Sequence, residues 1–289
     1  MLEASELILN ADNSIYHLNL LPEDIADTII VVGDQNRVAR ISKHFDTIEV
    51  KRERREFFTH TGTLNGKRFT VLSTGIGADN IDIVLNELDA LVNIDFKTRT
   101  INEELKQLNI VRIGTSGAIQ PDIPVDSFVL SEYALGFDGV LHYYEHDGIV
   151  HEGFSEAFVE YTDWSNKKPW PYLVKSGSAL RSKLSSNRIR YGVTITNSGF
   201  YGPQGRQLRL GLQDKTLNDK LTSFRYGDLR ITNMEMESSA IYALSKLMGH
   251  QAVSLNCIIA NRVLGEFSKT PLKTIDNLIA YTLEKLTAD

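Results

Sequence analysis

The sequence predicts an α/β fold: one three-layer α/β/α domain around a mixed central β-sheet, covering residues 1–289. Three observations point there. Apolar runs of strand length alternate with stretches of helical periodicity along the whole chain. No Pro/Gly/Ser-rich linker or internal repeat divides it. Its 289 residues, 42% hydrophobic and 24% charged, suit one large soluble core.

The elements follow in order. Thr28–Gly33 (TIIVVG) reads as a short buried strand, and DQNRVARISKHF as a helix with Asp34 near its N-cap. EVKRERREFFTHTGTL and KRFTVLSTG flank Asn65-Gly66, the signal of a hairpin. Ile81, Val84, Leu85, Leu88 and Val92 recur at helical spacing, predicting a helix to about Asn93. A charged excursion at 95–109 precedes the strand IVRIG, which is expected to end in a small-residue turn, GTSGA. SFVLSEYAL and YGVTITNSGF read as strands, and residues 136–172 as an irregular insertion or flap. MEMESSAIYALSKLMG reads as a helix stopped by Gly249, QAVSLNCIIANR as a strand, and about 272–286 as a closing amphipathic helix. In such sheets ligands bind beyond the carboxyl ends of strands.

Composition excludes several classes. The net charge of −6 argues against binding to nucleic acid or an anionic membrane surface, so any anion must meet a few focused arginines. No stretch has the roughly 20 apolar residues of a membrane span. The lone Cys257 lies in an apolar run and reads as a packed thiol rather than a nucleophile or half of a disulfide. With no secretory pattern at the start, a cytoplasmic location is expected.

Three constellations carry chemistry. Gly33-Asp34-Gln35-Asn36-Arg37 lies at a strand-to-helix turn, where backbone N–H groups and a helix N-terminus favour an anion. Arg112, before Gly114-Thr115-Ser116-Gly117, and Arg55 in KRERRE add guanidinium groups suited to a phosphate. Glu235 and Glu237, two residues apart around Met236, point in different directions at a helix start; they suit either electrostatic capping or a clamp on a ribose diol. In the turn-rich FYGPQGR, Gln204 both donates and accepts and Arg206 only donates, a match for a uracil edge, with Phe200 placed to stack. The His142, His146, His151 and Glu145 cluster follows no metal-binding pattern, so no metal is assigned. Walker, G-x-G-x-x-G and Gly-x-Ser-x-Gly motifs are absent from the sequence.

In this order the motifs VVGDQNRV, RREF, STGIG, RIGTSGAIQP, the FY–Q–R loop, NMEMESSA and IIANR resemble the nucleoside phosphorylase family, from about His17 to Arg262. FY–Q–R and Asn261-Arg262 resemble its uridine branch, which cleaves a pyrimidine nucleoside with inorganic phosphate as co-substrate and without a cofactor. The resemblance implies phosphate binding by Gly33, Arg37, Arg112 and Thr115, with Arg55 donated by a neighbouring subunit. It implies ribose binding by Met236 and Glu237, with Glu235 beside them and His17 reaching across from the partner. It places Phe200, Gln204, Arg206, Ile259 and Arg262 around the base, with Arg206, Gln204 and Glu237 carrying catalysis. A homodimer or higher homo-oligomer with shared sites follows. The chain departs from the family where STGIGGPS becomes STGIGADN, which removes support for a monovalent cation at the interface. Two alternatives stay open: a purine phosphorylase or a nucleosidase of the same family, and a non-catalytic nucleoside-binding protein.

Overall fold

A computed structural model of the chain describes residues 1–288. Its strands are β1 (Thr28–Val32), β2 (Thr47–Arg54), β3 (Phe57–Leu64), β4 (Lys67–Ser73), β5 (Ile94–Asp95), β6 (Thr100–Ile101), β7 (Asn109–Ala118), β8 (Phe128–Gly136), β9 (Tyr172–Lys175), β10 (Arg190–Thr196), β11 (Arg225–Tyr226), β12 (Leu229–Glu235), β13 (Gln251–Asn261) and β14 (Glu266–Phe267). The helices are α1 (Gln35–Ser42), α2 (Ala78–Asn93), α3 (Glu152–Thr162), α4 (Ser178–Leu184), α5 (Leu217–Ser223), α6 (Ser238–Leu247) and α7 (Pro271–Thr287).

Among the described residues, 12 strands form one mixed sheet whose main path is β11-β12-β10-β8-β13-β7-β1-β4-β3-β2. Helices cover both faces, as the alternating pattern requires. Ile81, Val84, Leu85 and Leu88 of α2 join Ala240–Leu244 of α6 in one core cluster, and α1, α4 and α7 close the other face around Val38, Leu184 and Leu278. β1, buried on both sides, is continuously apolar for that reason. The Asp34 carboxylate accepts from the Asn36 N–H and starts α1. Asn65 and Gly66, both at positive φ, make the turn joining β3 to β4.

The sheet also does something alternation does not foretell. β12 pairs antiparallel with β7, with Met234 opposite Gly117, so β7, β13, β8, β10 and β12 close into a ring. Four local expectations are corrected. GTSGA is not a turn: β7 runs through it, paired to β13 as far as Ala118, because its small residues sit between two neighbouring strands. MEME does not begin a helix; β12 ends at Glu235 and α6 starts only at Ser238. KRERREFF is not one strand, since Arg55 at φ 53 breaks it into β2 and β3. Residues 136–172 are irregular only in part: they contain α3, whose Phe154 and Phe158 are fully buried against Phe224 in a third core cluster. The excursion at 95–109 forms the small β5–β6 ribbon.

Candidate active site

Parallel pairing sets the site's level. Arg112 of β7 lies in register with Val31 of β1 on one side and Ser254 of β13 on the other, so its side chain emerges just below the turn Gly33–Asp34. Thr74 N–H donates to Val32 O, bringing Gly75 beside Gly33, where their backbones approach closely. From α1, Arg37 turns inward and donates through Nη1 to Ile113 O (3.0 Å).

Arg37 and Arg112 are both buried, and their charges repel. Burial holds Arg37 below its ordinary basicity, Cys257 partly offsetting this and Arg112 reinforcing it. Burial alone would depress Arg112 too, but Glu235 and Glu237 keep it raised. Two neighbouring guanidinium groups out of water form a site with a strong demand for anions.

The ring closure supplies the carboxylates. Because β12 runs antiparallel to β7, its end returns toward the middle of β7, and both acids converge on Arg112 instead of diverging. They do different work. Glu235 accepts from the Glu237 N–H (3.0 Å), the Ser238 N–H and the Thr196 hydroxyl (2.8 Å), and pairs with Arg112 at 3.1 Å. It therefore caps α6 and braces Arg112, its oxygens saturated by the protein. Burial raises its pKa against the pull of Arg112, and Glu237 adds to the rise. Glu237 accepts from Arg112 through Oε2 and from the Gly77 N–H through Oε1 (2.9 Å), so it keeps more capacity for a further donor. Met236 between them and Thr115 on β7 are half-buried, and the Thr115 hydroxyl has no hydrogen-bond partner among the described residues.

A second cluster forms farther along β7. Arg206 donates to Phe200 O (2.7 Å) and to Gln204 Oε1, and its guanidinium lies 3.8 Å from the centre of the Phe200 ring. With Oε1 facing Arg206, the Gln204 amide directs its N–H donors elsewhere. Arg262 donates to Gln204 O (3.2 Å) and packs over Gly117, where its own N–H is bonded to Ala118 O. Burial, then the charge of Arg262, brings Arg206 down to about 10. Burial likewise lowers Arg262. The Arg112 guanidinium lies against Gly114, three residues from Gly117, so about 10 Å of β7 separates the clusters. Ile259, at a register shift in β13, packs against the α1/α7 side of the core.

Two expected members stand apart. Arg55 is exposed at the β2–β3 turn. His17 is bonded to Glu87 of α2, and its ring meets Phe57 edge-on at 6.5 Å. Both therefore lie on one surface region of the chain, and no hydrogen bond joins either to Arg37 or Arg112. The insertion histidines serve the backbone: His142 meets Trp170 O, His146 meets Tyr144 O, and His151 accepts from Phe154 N–H.

Sequence reading missed Asn256, which accepts from Arg112 Nη1 at 2.8 Å, and the brace residue Thr196. Asn256 had a signal, a polar residue inside an apolar strand that demands a partner. Thr196 had none. A cleft of about 620 Å³ lies at the other end of the sheet, by Thr28, Asn109 and Leu180.

Residues 27–281 match the family model described as the Phosphorylase superfamily. A uridine phosphorylase of Thermococcus kodakarensis is 29% identical over 254 residues, 88% of this chain and 80% of that protein. One of Haemophilus influenzae is 29% identical over 262 residues, 88% and 89%. A DeoD-type purine nucleoside phosphorylase of Listeria welshimeri is 25% identical over 272 residues, 93% and 97%. Among solved structures, a Trypanosoma brucei nucleoside phosphorylase described as showing uridine phosphorylase activity superposes with a TM-score of 0.88 at 28% identity, covering 97% of this chain and 99% of that one.

Proposed function

Because this chain belongs to the phosphorylase superfamily, we propose that it is a pentosyltransferase that cleaves uridine with inorganic phosphate, giving uracil and ribose 1-phosphate. The observation that carries the reading is the convergence of buried Arg37 and Arg112 with Glu237, one short stretch of β7 away from the Gln204–Arg206–Arg262 cluster. Glycosidic cleavage passes through an oxocarbenium-like sugar and a departing base that gathers negative charge, and catalysis stabilises both ends. Arg206 and Gln204, backed by Arg262 and stacked by Phe200, meet the charge on the uracil oxygens. Phosphate held by Gly33, Arg37, Arg112 and Thr115 lies beneath the anomeric carbon, stabilises the cationic sugar and then attacks it. Glu237 accepts from the ribose hydroxyls over Met236, while Glu235 holds Arg112 in place. The reaction as drawn needs no cofactor, since phosphate is the nucleophile.

A homodimer, or a larger homo-oligomer built from it, completes the site: Arg55 and His17, gathered on one outer region, serve the phosphate and the sugar of the partner subunit. The single buried thiol, with no disulfide for it to join, supports a cytoplasmic setting. Among the described residues no helix is long and apolar enough to cross a membrane. The Gln204–Arg206 pair favours uridine over a purine nucleoside, and the two buried arginines favour phosphate over water. Chromatography of uridine and inosine, each incubated with and without phosphate, tests all of this. Phosphate-dependent release of uracil and ribose 1-phosphate is expected; phosphate-independent cleavage, preference for inosine, or uridine binding without cleavage would each replace the reading.

A further inference from the structure

The N-terminal arm that carries His17 is fixed without help from the imidazole. The Arg99 guanidinium binds the Leu2 and Glu3 carbonyls at 2.8 Å each, Asn10 ties itself to Ser14 Oγ and Ile15 O, and Leu18 and Leu20 are fully buried. Glu87 of α2 then makes a separate arrangement. Its carboxylate accepts the backbone N–H of His17 (3.0 Å to each oxygen) and of Leu18 (2.8 Å), and its Oε1 lies 2.6 Å from His17 Nδ1. A carboxylate only accepts, so Nδ1 carries a hydrogen and, in the neutral ring, Nε2 presents a bare lone pair. Tyr16 edge-on at 4.8 Å and Phe57 at 6.5 Å set the plane of the ring. Nε2 has no hydrogen-bond partner among the described residues, and the side chain keeps 26% of its surface open.

We propose that Glu87 is a positioning residue that fixes His17 as an Nε2 acceptor, aimed at a donating sugar hydroxyl of the nucleoside bound in the partner subunit. This rests on the reading of His17 given above. The group so recognised must donate, which a hydroxyl does and an ether or a phosphate ester oxygen does not.

The test compares wild-type protein, His17→Ala, Glu87→Gln and the double variant, with uridine varied at saturating phosphate. Glu87→Gln should raise KM for uridine about tenfold with little change in kcat, the cost of one misdirected hydrogen bond. In the His17→Ala background the same change should cost less than about twofold, because the two residues act as one unit. Equal cost in both backgrounds assigns Glu87 to the fold alone and overturns the proposal. Wild-type kinetics of His17→Ala overturn the reading of His17 itself, and the proposal with it. Long-range ¹⁵N–¹H NMR of the wild-type imidazoles needs no variant: the Nδ1–H tautomer of His17 is expected, and an Nε2–H tautomer refutes the assignment.

Discussion

Replacing Gly114 with alanine should disable phosphate use while leaving the protein folded. An ideal Cβ at this position would lie 1.8 Å from Arg112 Nη1, 2.5 Å from Cζ and 2.8 Å from Nη2. Ordinary contact needs about 3.5 Å, so the guanidinium must retreat by roughly 1.5 Å or more. A surface arginine would simply swing away. Arg112 is 5% exposed and held by Asn256 at 2.8 Å, by Glu235 at 3.1 Å and by Glu237, so retreat breaks at least two of these contacts. Overpacking of this kind costs about 1–3 kcal/mol of stability, which a domain of ordinary stability, about 5–15 kcal/mol, survives. Misplacing a preorganised donor costs ~3–4 kcal/mol in the transition state, about a hundred- to a thousand-fold in rate. The functional loss therefore exceeds the structural one. Phosphorolysis followed by absorbance, with phosphate varied at saturating uridine, should show kcat/KM for phosphate falling by about two orders of magnitude. Gly211→Ala, where a Cβ meets open space, is the control and should match wild type. A Gly114→Ala enzyme within threefold of wild type would mean that Arg112 does not hold phosphate from this pose.

Other outcomes follow from the same geometry. Arg206→Ala should reduce uridine cleavage by about a hundred- to a thousand-fold, since the departing base loses a preorganised donor; steady-state kinetics within a few-fold of wild type would remove Arg206 from the base site. Cys257→Ala should keep activity within a few-fold, because burial pushes the thiol up to about 11 and it is no thiolate at neutral pH; abolished turnover in a folded variant would contradict this. The bond from Arg230 holds the Asp122 carboxyl below its ordinary value, so Asp122 contributes stability above its unfolded pKa and loses it as pH falls through the folded one. Urea melts should show Asp122→Asn weaker than wild type by under about 1 kcal/mol at pH 7 and equal to it once the wild-type Asp122 carboxyl is protonated in both folded and unfolded states, the small size reflecting solvent screening.

Much of the fold was legible because its signals are local. TIIVV, the α2 repeat and Asn65-Gly66 each state their conformation within a few residues. What escaped depends on distant neighbours. GTSGA carries turn residues, yet strands on both sides capture it. Phe154 and Phe158 look like scattered aromatics until Phe224, some 70 residues later, packs against them. The site divides the same way. The arginines beside small-residue backbone stand out locally, and so does the two-residue spacing that lets Gln204 and Arg206 meet. That Glu235 and Glu237 would share one guanidinium was invisible, because the helix start read at this segment sends residues two apart to different sides, and only the docking of β12 on β7 brings both to Arg112.

That closure also bears on how the chain reaches its final state. Arg112 and Glu237 are 125 residues apart, and they meet because β12 docks on β7. Before docking, a guanidinium already set between β1 and β13 would keep its bond to Asn256 but have both of its acids elsewhere, a condition worth several kcal/mol of penalty. Half-assembled forms are thereby disfavoured, and closure of the β12–β7 seam is coupled to formation of the Arg112 ion pairs. Turnover in this protein is then its own certificate that folding has finished.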